Sequence, residues 1–227
     1  MILKYYICQI QIKEKGGRFM NENFVINLGR QLGSGGKEIG EKLAKKLNIA
    51  FYDKELLNLA SQESGVCEEF FEKADEKSQT ILGALFTGHF PVMSECSYHC
   101  NSYLSNDTLF KIQSDVIKKL AAEKSCLFVG RCADYILRDH PRCINIFISA
   151  PFEERKKRIQ RINNVSEDEA EDIIEKADKK RSSYYNYYSY NTWGSASTYH
   201  LCIDSSILGV NGTVDFILEF VKKKLNL

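Results

Sequence analysis

The sequence predicts an α/β fold with a five-stranded parallel sheet and helices on both faces. Short β-rich runs alternate with longer helical patterns along most of the 227 residues. Two of these runs, "CLFVG" and "INIFIS", are apolar on both faces, as central strands of a parallel sheet are. A glycine-rich loop joins the first strand to the first helix. Right-handed crossovers would then place helices on both faces of the sheet.

Short apolar periods define the first elements. "FVINL" (24–28) is the first predicted strand, and Ile39, Leu43 and Leu47 recur four residues apart on a helix from about 37 to 47. "AFY" is a short second strand, followed by Asp53, which suits the N-cap of a helix in "KELLNLASQE". The stretch from about 54 to 108 otherwise lacks a sustained period, so we interpret it as an insertion.

The second half of the chain has a more regular pattern. Apolar residues at 109, 112, 116 and 120 predict a helix that leads into the third strand, "CLFVG". "INIFIS" is the fourth strand, and the helix "PFEERKKRIQRI" follows it. Ser166 and Glu169 form a candidate capping box for a charged helix over 166–189. "YHLCIDSS" and "GTVDFILEFVKKKL" supply the fifth strand and the closing helix.

The composition favours a cytoplasmic globular protein with a small partner. A formal net charge of +1 gives no overall attraction to nucleic acid or anionic membranes. No apolar run approaches the roughly 20 residues that span a bilayer. The 8 cysteines include no C-x-x-C pair, and Cys96, His99 and Cys100 lack a matching second half of a zinc site, so we predict no metal site. Residues 1–19 are an N-terminal appendage with no assigned function.

The loop "GRQLGSGGKEIG" is the first candidate site, because ligands of parallel sheets bind at the carboxyl ends of the strands. Its glycines allow successive backbone N–H groups to converge on phosphate oxygens at a helix N-terminus. Neither register of G-x-x-x-x-G-K-[ST] fits, since Gly36 and Lys37 fall on the lysine and hydroxyl positions, or Gln31 and Glu38 replace the first glycine and the hydroxyl. The alternative is a tight turn without a ligand.

Five stretches in order extend this interpretation. They are "GRQLGSGGKEIGEKLAKKLNIAFYDKELL", "LFVGRCADYIL", "NIFISAPFEERKKRI", "KADKKRSSYYNYYSYNTWG" and "YHLCIDSS". Together they resemble the cytidylate kinase-like family, a branch of the P-loop nucleoside monophosphate kinases, over roughly residues 24–222. The resemblance implies strand order 2-3-1-4-5, a kinase domain over 20–227 and a basic helical lid at about 161–190. It also implies transfer of the ATP γ-phosphoryl group to a nucleoside monophosphate such as CMP or dCMP, with Mg²⁺.

Residue chemistry and the resemblance together predict the site. The predicted catalytic residues are Lys37, Arg131, Arg161 and Arg181. The predicted ATP-phosphate residues are Arg30, Gly33, Ser34, Gly35, Gly36 and Lys37. The predicted substrate residues are Asp53, Arg131 and Asp178. Positive groups around a transferred phosphate supply most of the acceleration in phosphoryl transfer. Cys132 stands where the family usually has an acidic residue.

Each basic residue also has a structural interpretation. Arg131 would instead pair with Asp134 or Asp53, and Asp53 would only cap a helix. Arg155 stays open between a lid role and a solvated charge, and Lys156, Lys157, Lys179 and Lys180 are interpreted as solvated charges.

Two alternatives to an active kinase remain. One is a nucleotide-binding regulator without turnover. The other is a single-strand nucleic-acid binder that uses "RSSYYNYYSYNTWG", although we interpret Tyr184 and Trp193 as scaffold. We expect small-molecule nucleotides as partners, no nucleic acid, and a monomer or homodimer.

Overall fold

A computed structural model describes residues 23–53 and 106–227 of the chain. The five strands are β1 (Val25–Arg30), β2 (Ala50–Tyr52), β3 (Cys126–Val129), β4 (Cys143–Ser149) and β5 (Leu201–Asp204). They form one parallel sheet in the order β2-β3-β1-β4-β5, which confirms the predicted fold and strand order. The predicted appendage at 1–19, most of the insertion, the helix after Asp53 and the Cys96–His99–Cys100 cluster lie outside the described residues.

Six helices are described, together with a short 3₁₀ turn at Ala196–Thr198. They are α1 (Gly36–Leu47), α2 (Asn106–Glu123), α3 (Ala133–Ile136), α4 (Phe152–Asn163), α5 (Glu167–Ser189) and α6 (Ser205–Leu225). The capping box is confirmed, because Ser166 Oγ accepts from the Glu169 amide while the Glu169 carboxylate accepts from the Ser166 amide. The closing helix begins earlier than predicted, and Gly209 interrupts it with φ 63 and ψ 179.

Two hydrophobic cores cover the two faces of the sheet. One buries Val25, Cys126 and Phe128 under residues of α2, α3 and the end of α5. The other buries alternate strand residues such as Ile26 and Ile146 under α1 and α6. Since Ile26 and Phe128 are both almost completely buried, the two-faced apolar strands are explained by cover on both sides. No described helix is long and apolar enough to cross a bilayer.

A third, smaller core joins α4 and α5 to the glycine loop. Ile159 of α4 packs with Ala170 and Ile174 of α5, and Leu32 of the loop packs against them. Lys156 is only 9% exposed and reaches Glu167 of α5 at 2.6 Å, so the expectation that it is a solvated charge is wrong. The helices α4 and α5 and the loop after β1 therefore pack together as one unit.

Candidate active site

The glycine loop runs from the end of β1 to the start of α1, and positive φ angles and close packing define its backbone. Gly33 lies at φ 81, and a Cβ there would approach the Arg155 carbonyl oxygen to 2.7 Å. Gly35 is the N-cap of α1 at φ 77 and has no side chain to cap the helix, while the Gly36 amide donates to Ser34 Oγ. Uncapped amides at a helix N-terminus are donors for an anion. The loop therefore has the backbone that a phosphate site needs.

Ser34 holds the shape of this loop from inside. Its side chain is 2% exposed, and its Oγ donates to the Gln31 carbonyl at 2.8 Å and accepts from the Gly36 amide at 3.3 Å. Ser205, at the start of α6, donates to the Ser34 carbonyl at 2.6 Å. Because its hydroxyl is used within the loop, Ser34 serves to order the phosphate loop in this conformation.

Arg30 ends β1 beneath the loop, in space left by two glycines. A Cβ on Gly130 would lie 2.2 Å from Arg30 Nη1, and one on Gly36 would lie 2.5 Å from Arg30 Cβ. Burial, followed by the charge of Arg181, lowers the pKa of Arg30 to about 10, while Asp53 acts in the opposite direction. Arg30 therefore keeps its charge at neutral pH, but at an energetic cost that a bound anion would reduce.

Arg131 sits on an unusual turn after β3. Gly130, Arg131 and Cys132 all have positive φ, at 79, 57 and 56. A non-glycine residue in this region costs about 1–3 kcal/mol and persists where the surroundings impose it. The turn sends Cys132 into the core, where it is 3% exposed. The Cys132 side chain therefore packs in the scaffold.

The carboxylates proposed as partners of Arg131 have partners of their own. Asp134 accepts from the Tyr185 hydroxyl at 2.6 Å. Asp53 reaches Lys37 at 3.3 Å and Arg30 at 3.6 Å. Arg131 acts on Arg30 by charge, since it contributes to lowering the pKa of Arg30 after burial, Arg181 and the opposing effect of Asp53. Arg131 and Arg181 therefore both lie within electrostatic reach of Arg30.

The Asp178 carboxylate joins α5 to the glycine loop by hydrogen bonds. Its carboxylate accepts from the Leu32 amide at 2.8 Å and from Arg155 Nη1 at 2.6 Å. Arg155 is 7% exposed and also donates to the Leu32 and Ala150 carbonyls. These contacts give Arg155 a scaffold role, which the sequence left open. The substrate role of Asp178 stays a prediction.

Arg158, one turn after Arg155, lies beside the glycine loop, although it is not among the predicted site residues. Its Nη2 pairs with Glu38 Oε2 at 2.5 Å, and its Nη1 lies 3.0 Å from where a Cβ on Gly35 would be. Arg181 donates from Nη1 to the Arg30 carbonyl at 3.3 Å. Arg161 is exposed in the last turn of α4. The i, i+3 arginine spacing in α4 was a signal for Arg158 as much as for Arg161.

Part of the tyrosine-rich segment at the end of α5 packs against the core, whereas Tyr187 and Tyr190 are exposed. Tyr184 and Trp193 pack against the core on the α2 side of the sheet, as expected for scaffold. Tyr184 donates to Gln113 at 3.1 Å. Phe110 stacks on Tyr188 with a centroid distance of 4.0 Å. These rings hold the end of α5 against α2.

Mg²⁺ commonly keeps several waters and binds phosphate oxygens with one or two carboxylates. Among residues 23–53 and 106–227, no group of three His, Cys, Asp or Glu side chains is placed to hold a metal. Asp53 and Asp178 are carboxylates at this edge of the sheet, where Lys37 and Arg30 pair with Asp53 and Arg155 pairs with Asp178.

Comparison with known proteins assigns the fold to a family. The model of the cytidylate kinase-like family matches residues 25–207. The chain belongs to the cytidylate kinase-like family. An uncharacterized protein from Eubacterium ventriosum is 29% identical, with a TM-score of 0.64 over 88% of this chain and 99% of that one.

More distant solved structures also match this chain. Shikimate kinase from Bacteroides thetaiotaomicron is 15% identical, with a TM-score of 0.49 over 90% of this chain and 99% of that one. A gluconokinase from Sinorhizobium meliloti is 10% identical, with a TM-score of 0.45 over 90% of this chain and 93% of that one. The search of curated proteins found no match. The family match and the strand order give this chain the predicted P-loop kinase fold, with the glycine loop at the end of β1.

Proposed function

We propose that this cytidylate kinase-like protein transfers the γ-phosphoryl group of ATP to a nucleoside monophosphate, with CMP and dCMP as the first acceptors to test. The observation that carries the proposal is the cluster of Arg30, Arg131 and Arg181 beside the open N-terminus of α1. The positive charges of Arg181 and Arg131 both disfavour the charged form of the buried Arg30, and Asp53 and Asp178 offset this repulsion in part. Phosphate oxygens between the arginines would remove that repulsion.

The roles follow from which element carries each group. The loop from Gly33 to Lys37 holds the donor phosphates through its amides, and Arg158 covers the loop from α4. Arg131 holds the phosphate of the acceptor at the end of β3. Arg181, with Arg161 on closure, neutralises charge on the group in transfer. Phosphoryl transfer needs positioning and charge stabilisation more than covalent chemistry, so no nucleophilic side chain is required.

Two ion pairs would exchange when the nucleotides bind. Lys37 pairs with Asp53, and Arg158 pairs with Glu38, both beside the glycine loop. Phosphate oxygens compete with these carboxylates for the same cations. Mg²⁺ bound to the nucleotide phosphates would supply further charge neutralisation. The Lys37 ammonium is 53% exposed, which leaves it free to turn toward a phosphate in place of the usual P-loop lysine.

A coupled assay of ADP release tests the proposal. ATP and Mg²⁺ are supplied with CMP, dCMP, UMP or AMP, and ATP binding is measured separately by calorimetry. Turnover with one of the monophosphates, lost in Arg131→Met and kept in Lys179→Met, supports nucleoside monophosphate kinase activity. Lys179 is the matched control, because it is exposed on α5. ATP binding without turnover for any acceptor would instead indicate the regulatory, inactive protein.

A further inference from the structure

A second cluster of cationic side chains lies at the opposite end of the sheet. A surface pocket of about 320 Å³ opens beside the first residues of β4, which we call the basic pocket. Its nitrogen-bearing side chains are those of Arg138, His140, Arg142, Asn145, His200, Lys224 and Asn226. None of its lining residues carries a side-chain carboxylate. Since β4 has 7 residues at about 3.3 Å each, the pocket lies roughly 20 Å from the glycine loop.

The two histidines are oriented as donors. His200 Nδ1 accepts from the Asn145 amide at 2.9 Å, and His140 Nδ1 accepts from the Arg142 amide at 3.3 Å. A neutral imidazole whose Nδ1 accepts must carry its proton on Nε2. Both rings therefore offer an N–H group, and neither offers a second acceptor.

One buried donor at the basic pocket lacks a partner. Within the described part of the chain, two buried side-chain polar atoms lack a hydrogen bond, Arg142 Nε and Asn27 Oδ1. Arg142 lines the basic pocket, and its Nε is a donor that an anion could satisfy. Asn27 Oδ1 is an acceptor, so it gives no support for an anion. Unpaired buried groups are rare and costly.

We propose that the basic pocket binds the phosphate group of a small molecule, either inorganic phosphate or a phosphate monoester. Two guanidinium groups, one ammonium and two imidazole N–H groups are all donors, which suits an anion with several acceptor oxygens. The volume is at the lower end of small-ligand pockets, about 300–1,000 Å³. Arg142 contributes most, because its Nε donor is buried and unpaired while its Nη2 is fixed on the Leu225 carbonyl at 3.3 Å.

The site is independent of the proposed kinase reaction. The basic pocket lies at the amino ends of the strands, whereas the glycine loop and Arg131 follow their carboxyl ends. A probe must therefore report on the pocket itself, since phosphate is also expected to bind at the glycine loop. The imidazole resonances of His140 and His200 give that local readout.

The experiment titrates the full chain with potassium phosphate, observed by NMR of the histidine side chains. His140→Gln and His200→Gln assign the two resonances, and potassium chloride at matched ionic strength is the control. We expect saturable shifts of both resonances with phosphate and none with chloride. A parallel titration with glycerol phosphate, controlled with glycerol, distinguishes a phosphate monoester from inorganic phosphate by relative affinity. Absence of a saturable shift with either phosphate overturns the proposal.

Substitutions on α6 provide a matched pair that leaves the fold intact. Lys223 and Lys224 are adjacent and exposed, but only Lys224 lines the pocket. Lys224→Gln should weaken binding about threefold, while Lys223→Gln should leave it unchanged. Equal effects of the two would mean screening by overall charge and would overturn the site.

Two further variants locate the bound phosphate. Arg142→Gln should weaken binding roughly tenfold, the loss expected for a buried charge-assisted bond. Arg131→Met, at the other end of the sheet, should leave the histidine shifts in place. Loss of those shifts in Arg131→Met would show that they arise from the glycine loop and would also overturn the proposal.

Discussion

The two ends of the sheet both collect cations but treat them differently. At the carboxyl ends, Asp53 and Asp178 lie among the basic side chains and hold several of them by ion pairs. At the amino ends, the lining residues of the basic pocket include no acid. A ligand at the first end must displace carboxylates, whereas at the second end the carboxylate described beside a lining residue is the exposed Asp139, 3.9 Å from Arg138. At the glycine loop, a bound phosphate would replace carboxylates as the partner of the cations. At the basic pocket, a bound phosphate would add to the cations without replacing a lining carboxylate.

Two consecutive non-glycine residues with positive φ lie at the first end. Arg131 and Cys132 have positive φ, whereas no described residue that lines the basic pocket, apart from Asn226 at the end of α6, has one. Strain of this kind persists when the surrounding structure imposes it, and it is typical of active sites. The first end is therefore the more specialised of the two.

Arg131→Met should have the largest effect, because it removes the guanidinium proposed to bind the acceptor phosphate. We expect kcat/KM for phosphoryl transfer to fall roughly 1,000-fold while the melting temperature stays close to that of the wild type. The coupled assay and thermal unfolding measure the two quantities. Retained turnover would mean that Arg131 is only a structural side chain. Its position at the carboxyl ends of the strands would then give no evidence that this end is catalytic.

Asp178→Asn tests whether the acid at the first end is scaffold. The carboxylate bonds the Leu32 amide and the buried Arg155, so the variant leaves Arg155 without its charged partner. We expect the free energy of unfolding to fall by about 2 kcal/mol. Asp172→Asn is the control, since Asp172 is 68% exposed and pairs only with Lys176 among the contacts described. A stable Asp178→Asn protein with weakened acceptor binding would assign Asp178 to the substrate instead.

Glu38→Gln should have a smaller effect of opposite sign. Removing the carboxylate releases Arg158 from its ion pair and makes it available to the donor phosphates. ATP should bind about threefold more tightly, because a partly exposed ion pair contributes little energy. Calorimetry measures the affinity, with Glu154→Gln as the control, since Glu154 pairs with the exposed Lys157 on the same helix. Weaker ATP binding in Glu38→Gln would show that the pair orders the loop rather than competes with phosphate.

The sequence predicted the elements and the order of the sheet better than the contacts within the site. Apolar period defines strands such as β4, and the capping box defines the start of α5, because both are local signals. The choice between Arg158 and Arg161 depends on how α4 is rotated over the loop, which packing of Ile159 and Leu32 decides. The same packing buries Lys156, which the sequence presents as one charge among many.

The basic pocket could not be predicted from local patterns. Its lining residues come from three separate stretches, 138–145, His200 and Lys224–Asn226, and only the sheet topology brings them together. The need for a glycine before Arg131 was equally hidden, because Arg30 approaches Gly130 too closely for a Cβ. In both cases the contacts join residues that are far apart in sequence.

His200→Asn should have the smallest effect, and it tests the second end of the sheet alone. Burial, followed by the charge of Lys224, lowers the pKa of His200 below 6.5, so the folded state binds fewer protons than the unfolded state. Stability from this group is therefore complete above the unfolded pKa and is lost as pH falls through 6.5 toward the lowered folded pKa. Protonation also removes the Nδ1 acceptor that the Asn145 amide uses.

Asparagine keeps an acceptor near that amide but cannot titrate. The free energy of unfolding of His200→Asn should therefore decline less than that of the wild type between pH 7 and pH 5, as measured by urea unfolding at each pH. Phosphate should reduce the acid sensitivity of the wild type and not that of Lys224→Gln to the same extent, because a bound anion favours protonated His200. Identical pH profiles for the wild type and His200→Asn would show that this ring is not a source of acid sensitivity, and that the charges of the basic pocket do not act on it.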